Sequence, residues 1–509
     1  MATTDHIRQT RISGLMMLAI RDIVTPQMLE HDYEGSGTPE DPYIVMFLED
    51  DPPDPMAFSV WVRWLLCLAA GYVTFSVAFI SSAFSGSIRD VYQDLGASPE
   101  SATLGLSLFL LGFVLSPLLW APSSEHFGRQ IILLCTSTIH VALNIAACFS
   151  PTLAILLVLR LLSGAFGAAT LTNSGAVIAD IFHPRQRGLA ITVYALVPLF
   201  APVLGPMVGT YVSGVWGWRW SMAVMALLSM TALAVAALVL PETYAPFLLD
   251  RRARRLTKMT GHRYVSSMAA TGGTKGGQRP SLVTTLSRPF LLAANEPIIS
   301  LLALYQAVVF GTLYFMFAAL PLVYTDMLGW TREQSGLSLL GFVVGMALSV
   351  VFAICDNARY GRALERLNGE VAPPETRLAA CCLGSPGSST WPRVCPSASA
   401  SSWSQSAPPT MYLVDVYTIY AASALTVCIC GRAIWGAVFP LFVRSMFASI
   451  GVMWSLAIPA VLSLICLPFP FVFYRFGPAI PARCRYAGEA HMAAQRARQR
   501  VDEDTPLLA

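Results

Sequence analysis

Long apolar runs separated by short polar segments dominate the chain between residues 64 and 474. A helix needs about 20 apolar residues to cross the hydrocarbon core of a bilayer. Because that core holds no water to satisfy peptide groups, each run of this length predicts a membrane-spanning helix. Six runs precede a hydrophilic segment and four follow it. They lie near residues 64–84, 103–121, 131–149, 152–178, 189–213, 219–240, 297–320, 336–355, 417–443 and 451–474.

Composition supports a membrane protein. Hydrophobic residues make up 55% of the 509 positions and charged residues only 12%, whereas a soluble chain carries about 25% charged residues. Lys and Arg total 33 against 30 Asp and Glu, a balance too even for a polyanion partner. We therefore exclude a soluble enzyme, a disordered regulator and a nucleic-acid binder. The scattered cysteines show no metal-ligand spacing, so no metal or cofactor is expected.

Positive charge is distributed unevenly between alternate loops, which predicts the orientation of the chain in the membrane. One set of loops and the C-terminal tail hold about twenty Lys and Arg, whereas the opposite set holds about four, including Arg89 and Arg332. Both termini are therefore expected in the cytosol. The cationic set includes Arg129, Arg185, Arg187, Arg251, Arg252, Arg254, Arg255, Lys258, Arg359, Arg362 and Arg366.

A weak internal repeat relates the two halves of the chain. A shift of about 234 residues places Gly217 on Gly451, Trp220 on Trp454, and Ser221 on Ser455. With a shift that is one residue longer, the segment that contains Asp180 aligns with the segment that contains Asp415. Six spans, a linker and a related second set predict two similar bundles related by an axis along the membrane normal. A substrate site between two such bundles suits alternating access.

The second half departs from this repeat. Its third and fourth spans are expected between Arg362 and Asp415, but residues 378–410 are rich in Ser and Pro and cannot insert as two helices. Two explanations stay open. The segment is mis-translated or mis-spliced, which the register of the flanking sequence favours, or the protein has ten spans.

These patterns predict the organisation of the chain, including a first segment in which glycines and prolines prevent regular structure. We expect a disordered cytosolic tail at 1–62, an N-terminal transmembrane bundle at 63–249, a basic cytosolic linker at 250–290, a C-terminal transmembrane bundle at 291–474 that is disrupted at 378–410, and a cytosolic tail at 475–509.

The loop after the second span contains Glu125, Gly128 and Arg129. It resembles the loop signature of the major facilitator superfamily, specifically its drug:proton antiporter branch common in fungi, although Ala121, His126 and Gln130 depart from the pattern. A glycine turn there lets an acid and a base reach charges and helix ends on neighbouring spans. The resemblance implies an all-α membrane protein with two six-helix bundles, of whose twelve expected spans about ten are visible. It also implies a gating role for this loop.

The fourth span contains Arg160 followed by Gly164 and Gly167, similar to an arginine-containing signature of the same branch. An arginine at the bilayer centre costs about 2.5–3.5 kcal/mol, so it is expected to face a cavity or a partner. Nearer the interface it would instead extend to water. In the family this arginine is implicated in proton coupling, and Arg160 is the first candidate for that role.

The fifth span contains Gly205, Pro206 and Gly209, which resemble the signature of antiporters except that Thr210 replaces a second glycine. Small residues four apart allow close helix contact, and the proline removes a backbone donor and is expected to kink the span. The same features can be purely structural. Their combination with Arg160 and the loop signature is more specific than any one of them.

The first span does not supply a proton-carrying carboxylate, because it has no acidic residue between Trp64 and Ala83. Asp180, Asp415 and Glu296 are the candidate charge partners. All three lie near span ends, where interface charges are equally expected.

The resemblance implies a secondary active transporter that is not an enzyme. We expect proton-coupled efflux of drugs, toxins or a secondary metabolite by alternating access, carried out by a monomer in the plasma membrane, with a small organic substrate, protons and the lipid bilayer as partners. Two alternatives remain: an uptake or polyamine-type transporter, and a transport-inactive product that lacks two spans.

Overall fold

The computed structural model describes residues 28–29, 31–48, 54–182, 184–267, 282–341, 344–345, 412–413, 416–417, 421–466 and 468–469. Helices dominate these residues, and the one small sheet has two strands. The predicted Ser- and Pro-rich stretch at 378–410 lies outside the described residues, as does most of the predicted span 336–355.

The N-terminal half, as we use the term, comprises the nine helices from residue 60 to residue 239. Their order follows the six predicted spans of this half. The helices are α1 (Val60–Ala83), α2 (Ile88–Asp94), α3 (Pro99–Gly112), α4 (Leu115–Phe127), α5 (Arg129–Cys148), α6 (Leu153–Gly167), α7 (Ala169–Ile181), α8 (Pro184–Trp216) and α9 (Trp218–Val239).

A linker helix, α10 (Ala245–Thr260), separates this half from the described helices of the C-terminal half. Strand β1 (Tyr43–Val45) precedes α1, and strand β2 (Tyr264–Ser266) follows α10. The C-terminal half contains α11 (Leu282–Asn295), α12 (Pro297–Leu322), α13 (Arg332–Leu337) and α14 (Ala421–Cys466).

Within the described residues, 7 helices are long and apolar enough to cross a membrane. Two predicted spans are each divided into a pair of helices, α3 with α4 and α6 with α7. Large apolar side chains on the outer surface of the bundle are exposed, as is expected of residues that face lipid rather than water. Examples are Leu65, Leu68, Val158, Leu238 and Met453.

The glycines paired by the sequence repeat have the same backbone role. Gly217 ends the turn before α9 with φ 89°, and Gly451 interrupts α14 with φ 78°. A positive φ of this size favours glycine because it has no Cβ. The repeat therefore marks equivalent turns in the two halves, each between what would be the fifth and sixth spans.

Part of the N-terminal tail is folded, so the expectation that its glycines and prolines prevent regular structure is wrong for Tyr43–Val45. Strand β1 pairs in parallel with β2 of the linker, with Ile44 opposite Val265. Gly35 and Gly37 instead form a turn before β1. Tyr33 and Val45 pack on Leu249 and Leu256 of α10, and this burial compensates the ordering of the tail.

We call the two ends of the helical body the linker end and the far end. The linker end contains α10, the start of α1 and the start of α12; the far end contains Asp94, Trp216 and Met327. Toward the far end, one buried apolar cluster joins residues of both halves, including Phe84 and Phe109 with Phe315 and Val443. Toward the linker end, the buried clusters of the two halves are separate in the described structure.

Candidate functional site

Arg160 lies at the centre of the N-terminal half and is 1% exposed. Its Nε donates to the carbonyl oxygen of Gly105 on α3 at 3.2 Å, and its Nη2 donates to that of Ile80 on α1 at 3.3 Å. Its guanidinium lies between the rings of Phe84 and Phe109, at 4.7 Å and 4.4 Å from their centroids. One side chain on α6 therefore holds two other helices.

This environment decides between the two expectations for Arg160. A side chain this buried does not extend to the interface, so its partner is protein. That partner is main-chain carbonyls and aromatic faces, because no acidic side chain of the described residues forms an ion pair with it. Among the described residues this cation is held by carbonyl dipoles, ring quadrupoles and the sulfur of Met225 at 4.0 Å. A buried cation without a paired charge is costly and points to a functional role.

The glycines that follow Arg160 permit close helix packing. A Cβ atom at Gly164 would overlap with the backbone of Phe109, and one at Gly167 would lie 2.6 Å from Nδ1 of His140. The imidazole of His140 is itself held by the carbonyl of Ser163 at 2.8 Å and by Asn144 at 3.1 Å. The small residues therefore bring α6 against α3 and α5 and fix the position of Arg160 between them.

Helix α8, which carries the antiporter-like signature, packs on α1 through the predicted glycines. A Cβ at Gly205 would lie 2.7 Å from the carbonyl oxygen of Phe79, and one at Gly209 would overlap with that of Ala83. Pro206 is buried, and α8 continues through it from Pro184 to Trp216. This close contact puts α8 against the same part of α1 that binds Arg160.

The loop between α4 and α5 forms a polar cluster at the linker end with residues that follow α9. The carboxylate of Glu242 accepts hydrogen bonds from the backbone amides of Arg129 and Gln130, both at 3.1 Å. It thereby caps the start of α5, where the helix dipole favours negative charge. Gly128 has φ 93°, and a Cβ there would lie 2.5 Å from Oε2 of Glu242. Glycine is required at this turn.

The side chain of Arg129 extends the cluster to α7. Its Nε donates to Oδ2 of Asp180 at 2.6 Å, and the hydroxyl of Thr243 donates to the same oxygen at 3.4 Å. The guanidinium also lies over the ring of Tyr244, 4.7 Å from its centroid. The ends of α4, α5, α7 and α9 are therefore tied together. Glu125 lies at the edge of this network: its side chain is exposed and no ion pair joins it to another described residue, but it is close enough to Arg129 for an electrostatic attraction.

The remaining acidic candidates lie in the C-terminal half. Glu296 is fully buried at the start of α12 and accepts a hydrogen bond from the hydroxyl of Tyr417 at 3.0 Å. It is more than 100 residues from Arg160 in sequence, and the described contacts do not bring the two together. Asp415 lies outside the described residues.

Contacts between the two halves run along a seam from the far end toward the linker end. The hydroxyls of Ser81 on α1 and Tyr314 on α12 are 2.7 Å apart. The guanidinium of Arg444 on α14 lies 5.7 Å from the ring centroid of Tyr92 on α2. Further along, the thiol of Cys430 on α14 is 3.7 Å from the carbonyl oxygen of Val114.

Beyond Val114, the seam borders a pocket of about 290 Å³. Its walls are mostly apolar, and only Leu118 of its lining residues belongs to the N-terminal half. The volume is at the lower limit of pockets that bind small organic molecules. The other lining residues are Pro289, Phe290, Ala293, Ser300, Ala303, Leu304, Ala307, Thr426, Val427, Cys430, Gly431, Ile434 and Trp435.

Sequence reasoning missed two groups of this site. Glu242 lies just after the sixth predicted span and was not among the predicted site residues, although a carboxylate near helix ends is well placed to cap a neighbouring helix. Ser81 and Tyr314 carry no local signal, because 233 residues separate them.

Comparison with known proteins supports the fold and the type of protein. The family model of the Major Facilitator Superfamily matches residues 70–384. The chain is 40% identical to the multidrug transporter mdrA of Aspergillus fumigatus over 485 residues, which cover 92% of this chain and 80% of the relative. It is 41% identical to the efflux pump MFS2 of Trichophyton rubrum, with 94% and 82% covered.

Two further similarities agree. The transporter sorT of Penicillium rubens is 40% identical, with 90% of this chain and 91% of the relative covered. The solved structure of the proton:xylose symporter XylE has a TM-score of 0.57 at 12% identity and covers 82% of this chain and 96% of that chain. At that identity the likeness shows the fold alone. The chain belongs to the major facilitator superfamily and has the fold of its secondary transporters, which are not enzymes.

Proposed function

We propose that this protein exports small organic compounds across the plasma membrane in exchange for protons, by alternating access between its two halves. Both termini and the linker end face the cytosol, as the distribution of Lys and Arg predicts. The cargo class comprises drugs, toxins or a secondary metabolite, and the relatives named as multidrug transporter and efflux pump support export. The working unit is one copy of the chain.

The observation that carries the proposal is the contrast between the two ends. A shared apolar cluster closes the halves against each other at the far end, while the clusters at the linker end are separate among the residues that the structure describes. This arrangement corresponds to a transporter that accepts cargo from the cytosol. The pocket beside Leu118 lies at the seam between the halves and offers apolar walls to such cargo.

Seven of the candidate residues have a role in this cycle. Arg160 responds to proton binding, because a buried cation without an ion-paired acid is sensitive to any change of charge nearby. Arg129, Asp180 and Gly128 hold the cytosolic helix ends as one unit during the movement. Gly205, Pro206 and Gly209 keep α8 and α1 together as a rigid pair.

Efflux from intact cells tests this function. Cells that lack their own pumps are loaded with a fluorescent drug, and its loss is followed with and without a proton uncoupler. We expect rapid efflux that the uncoupler stops, and no efflux with the Arg160→Ala variant at equal membrane abundance. Efflux that persists with the uncoupler contradicts proton exchange, and accumulation of label contradicts export and favours the uptake alternative.

The alternative of a transport-inactive product depends on residues 378–410, which lie outside the described structure. Sequencing the spliced transcript across residues 356–415 tests it directly. Recovery of two apolar segments of about 20 residues each supports a complete twelve-span transporter. Absence of such segments, together with absence of efflux, supports the inactive product.

A further inference from the structure

The hydrogen bond between Ser81 and Tyr314 is a direct polar link between the two halves inside the buried core. Ser81 is fully buried and Tyr314 is 1% exposed. Because water does not compete at such a site, the bond contributes more to holding the halves together than an exposed one. The residues around it belong to the shared cluster at the far end.

The direction of this hydrogen bond follows from the other contact of Ser81. Its hydroxyl donates to the carbonyl oxygen of Ala78 at 2.6 Å, which uses its one proton. Tyr314 is therefore the donor, and Ser81 accepts. If Tyr314 loses its hydroxyl, Ser81 keeps a partner, whereas the loss of Ser81 leaves a buried phenol without its acceptor.

Arg160 acts on the same turn of α1. Its Nη2 donates to the carbonyl oxygen of Ile80, the residue directly before Ser81. Its ring contact Phe84 directly follows the end of α1, so the guanidinium contacts the chain both before and after Ser81. A change at Arg160 therefore changes the orientation of the hydroxyl that Tyr314 reaches.

We propose that Arg160 controls closure of the far end through the main chain of α1: by holding Ile80 it positions Ser81 to accept the hydrogen bond of Tyr314 from the other half. Release of Ile80 frees Ser81 and lets the far end open. Tyr314 is then a gating residue and Ser81 a positioning residue. This inference rests on the proposed function, since it describes how the proton-responsive site reaches the outer gate.

The experiment measures opening of the far end without cargo or transport. Ala437 on α14 is 4% exposed within the shared cluster, and its neighbour Gly436 packs against Leu110 of α3. The Ala437→Cys variant is purified in lipid nanodiscs, and the rate of modification by a water-soluble maleimide is measured, with the native chain as the background for its own cysteines. The readout requires neither export nor orientation in a cell, so its failure is distinct from failure of the proposed function.

We expect Tyr314→Phe to raise this rate about 2- to 10-fold, the factor that corresponds to one intramolecular hydrogen bond. The matched control is Tyr72→Phe. Tyr72 makes a similar hydroxyl contact, 2.8 Å to Oγ1 of Thr231, but both residues lie in the N-terminal half. This control is expected to leave the rate unchanged. An equal rate for Tyr314→Phe and the native residue, or an equal increase in the control, overturns the proposal.

A double variant tests the link to Arg160. Lysine at position 160 keeps the charge but cannot bind two carbonyls and stack between two rings. We expect Arg160→Lys to raise the modification rate. The double variant Arg160→Lys with Tyr314→Phe is expected to raise it no further than the larger single effect, because both substitutions act on the same hydrogen bond between the halves. Multiplicative effects of the two substitutions contradict the link, even where each alone opens the far end.

Discussion

The linker end and the far end of this protein are held together by different kinds of contact. At the linker end, the described polar contacts lie within one half or the other: Arg129 binds Asp180 in the N-terminal half, and Tyr417 binds Glu296 in the C-terminal half. At the far end, apolar packing and the bond between Ser81 and Tyr314 join the two halves. We infer that the polar cluster around Arg129 and Asp180 makes the N-terminal half rigid. The apolar core at the far end controls whether the two halves are closed against each other.

The two ends also differ in the environment of their ion pairs. The side chains of Arg129 and Asp180 are 11% and 19% exposed, whereas those of Arg219 and Asp94 at the far end are both 48% exposed. Asp94 also accepts a hydrogen bond from Nε1 of Trp218 at 2.9 Å. Exposed pairs are weakened by solvent and salt, and buried pairs are costly to break.

Substitution of the two aspartates gives the largest expected difference. Asp180→Asn leaves Arg129 buried without its ion pair and is expected to lower the free energy of unfolding by about 3 to 5 kcal/mol. Asp94→Asn, its control at the far end, is expected to cost about 0.2–1 kcal/mol. Thermal unfolding of the purified variants measures both. Equal losses at the two ends would show that the polar cluster is not a rigid unit.

Replacement of Arg160 separates function from stability. Arg160→Met removes a buried cation that no described acid neutralises, so the folded protein is expected to be as stable as the native one or more so. Efflux is expected to fall about 100-fold or more, because two hydrogen bonds from a charged donor are lost. The measurement pairs drug efflux with thermal unfolding. Normal efflux from a stable Arg160→Met protein would remove Arg160 from the mechanism.

The smallest expected difference in stability is between alanine substitutions at two glycines that each precede a helix. Gly128 and Gly217 have φ 93° and 89°, but only Gly128 has neighbours, Glu242 and Phe247, within reach of an added Cβ. Alanine at Gly217 is expected to cost about 1 kcal/mol of backbone strain. Alanine at Gly128 adds displacement of the Glu242 carboxylate and is expected to cost about 1–3 kcal/mol more. Equal unfolding temperatures for the two variants would mean that Glu242 does not depend on this turn.

The sequence predicted the helices well, because apolar runs of membrane length have few other structures available. It did not predict the breaks near Phe113 and Ala168, since the apolar composition continues through both. The close contact of Gly205 and Gly209 with α1 agrees with the expected packing of small residues. The strand β1 was missed because its partner, β2, is more than 200 residues away and the pairing leaves no periodic pattern.

Candidate residues could be proposed where a motif fixes residue types within one loop or helix. Gly128, Arg129 and Arg160 were proposed in this way, and the structure adds what they contact. The signature could not reveal that Glu125 is exposed while Glu242 makes the contacts to α5. Glu242 is more than 100 residues from this loop in sequence, and only the folded bundle brings the two together. Likewise, carbonyl partners such as Ile80 leave no trace in side-chain composition.

One distance measurement tests alternating access most directly. Spin labels are placed on exposed positions of both halves in a cysteine-free chain, at Gln93 and Ser449 for the far end and at His126 and Asn295 for the linker end. Without cargo, we expect a single narrow far-end distance; with a saturating exported compound, that distance lengthens while the linker-end distance shortens. Distances that change in the same direction at both ends, or at neither end, would contradict the account.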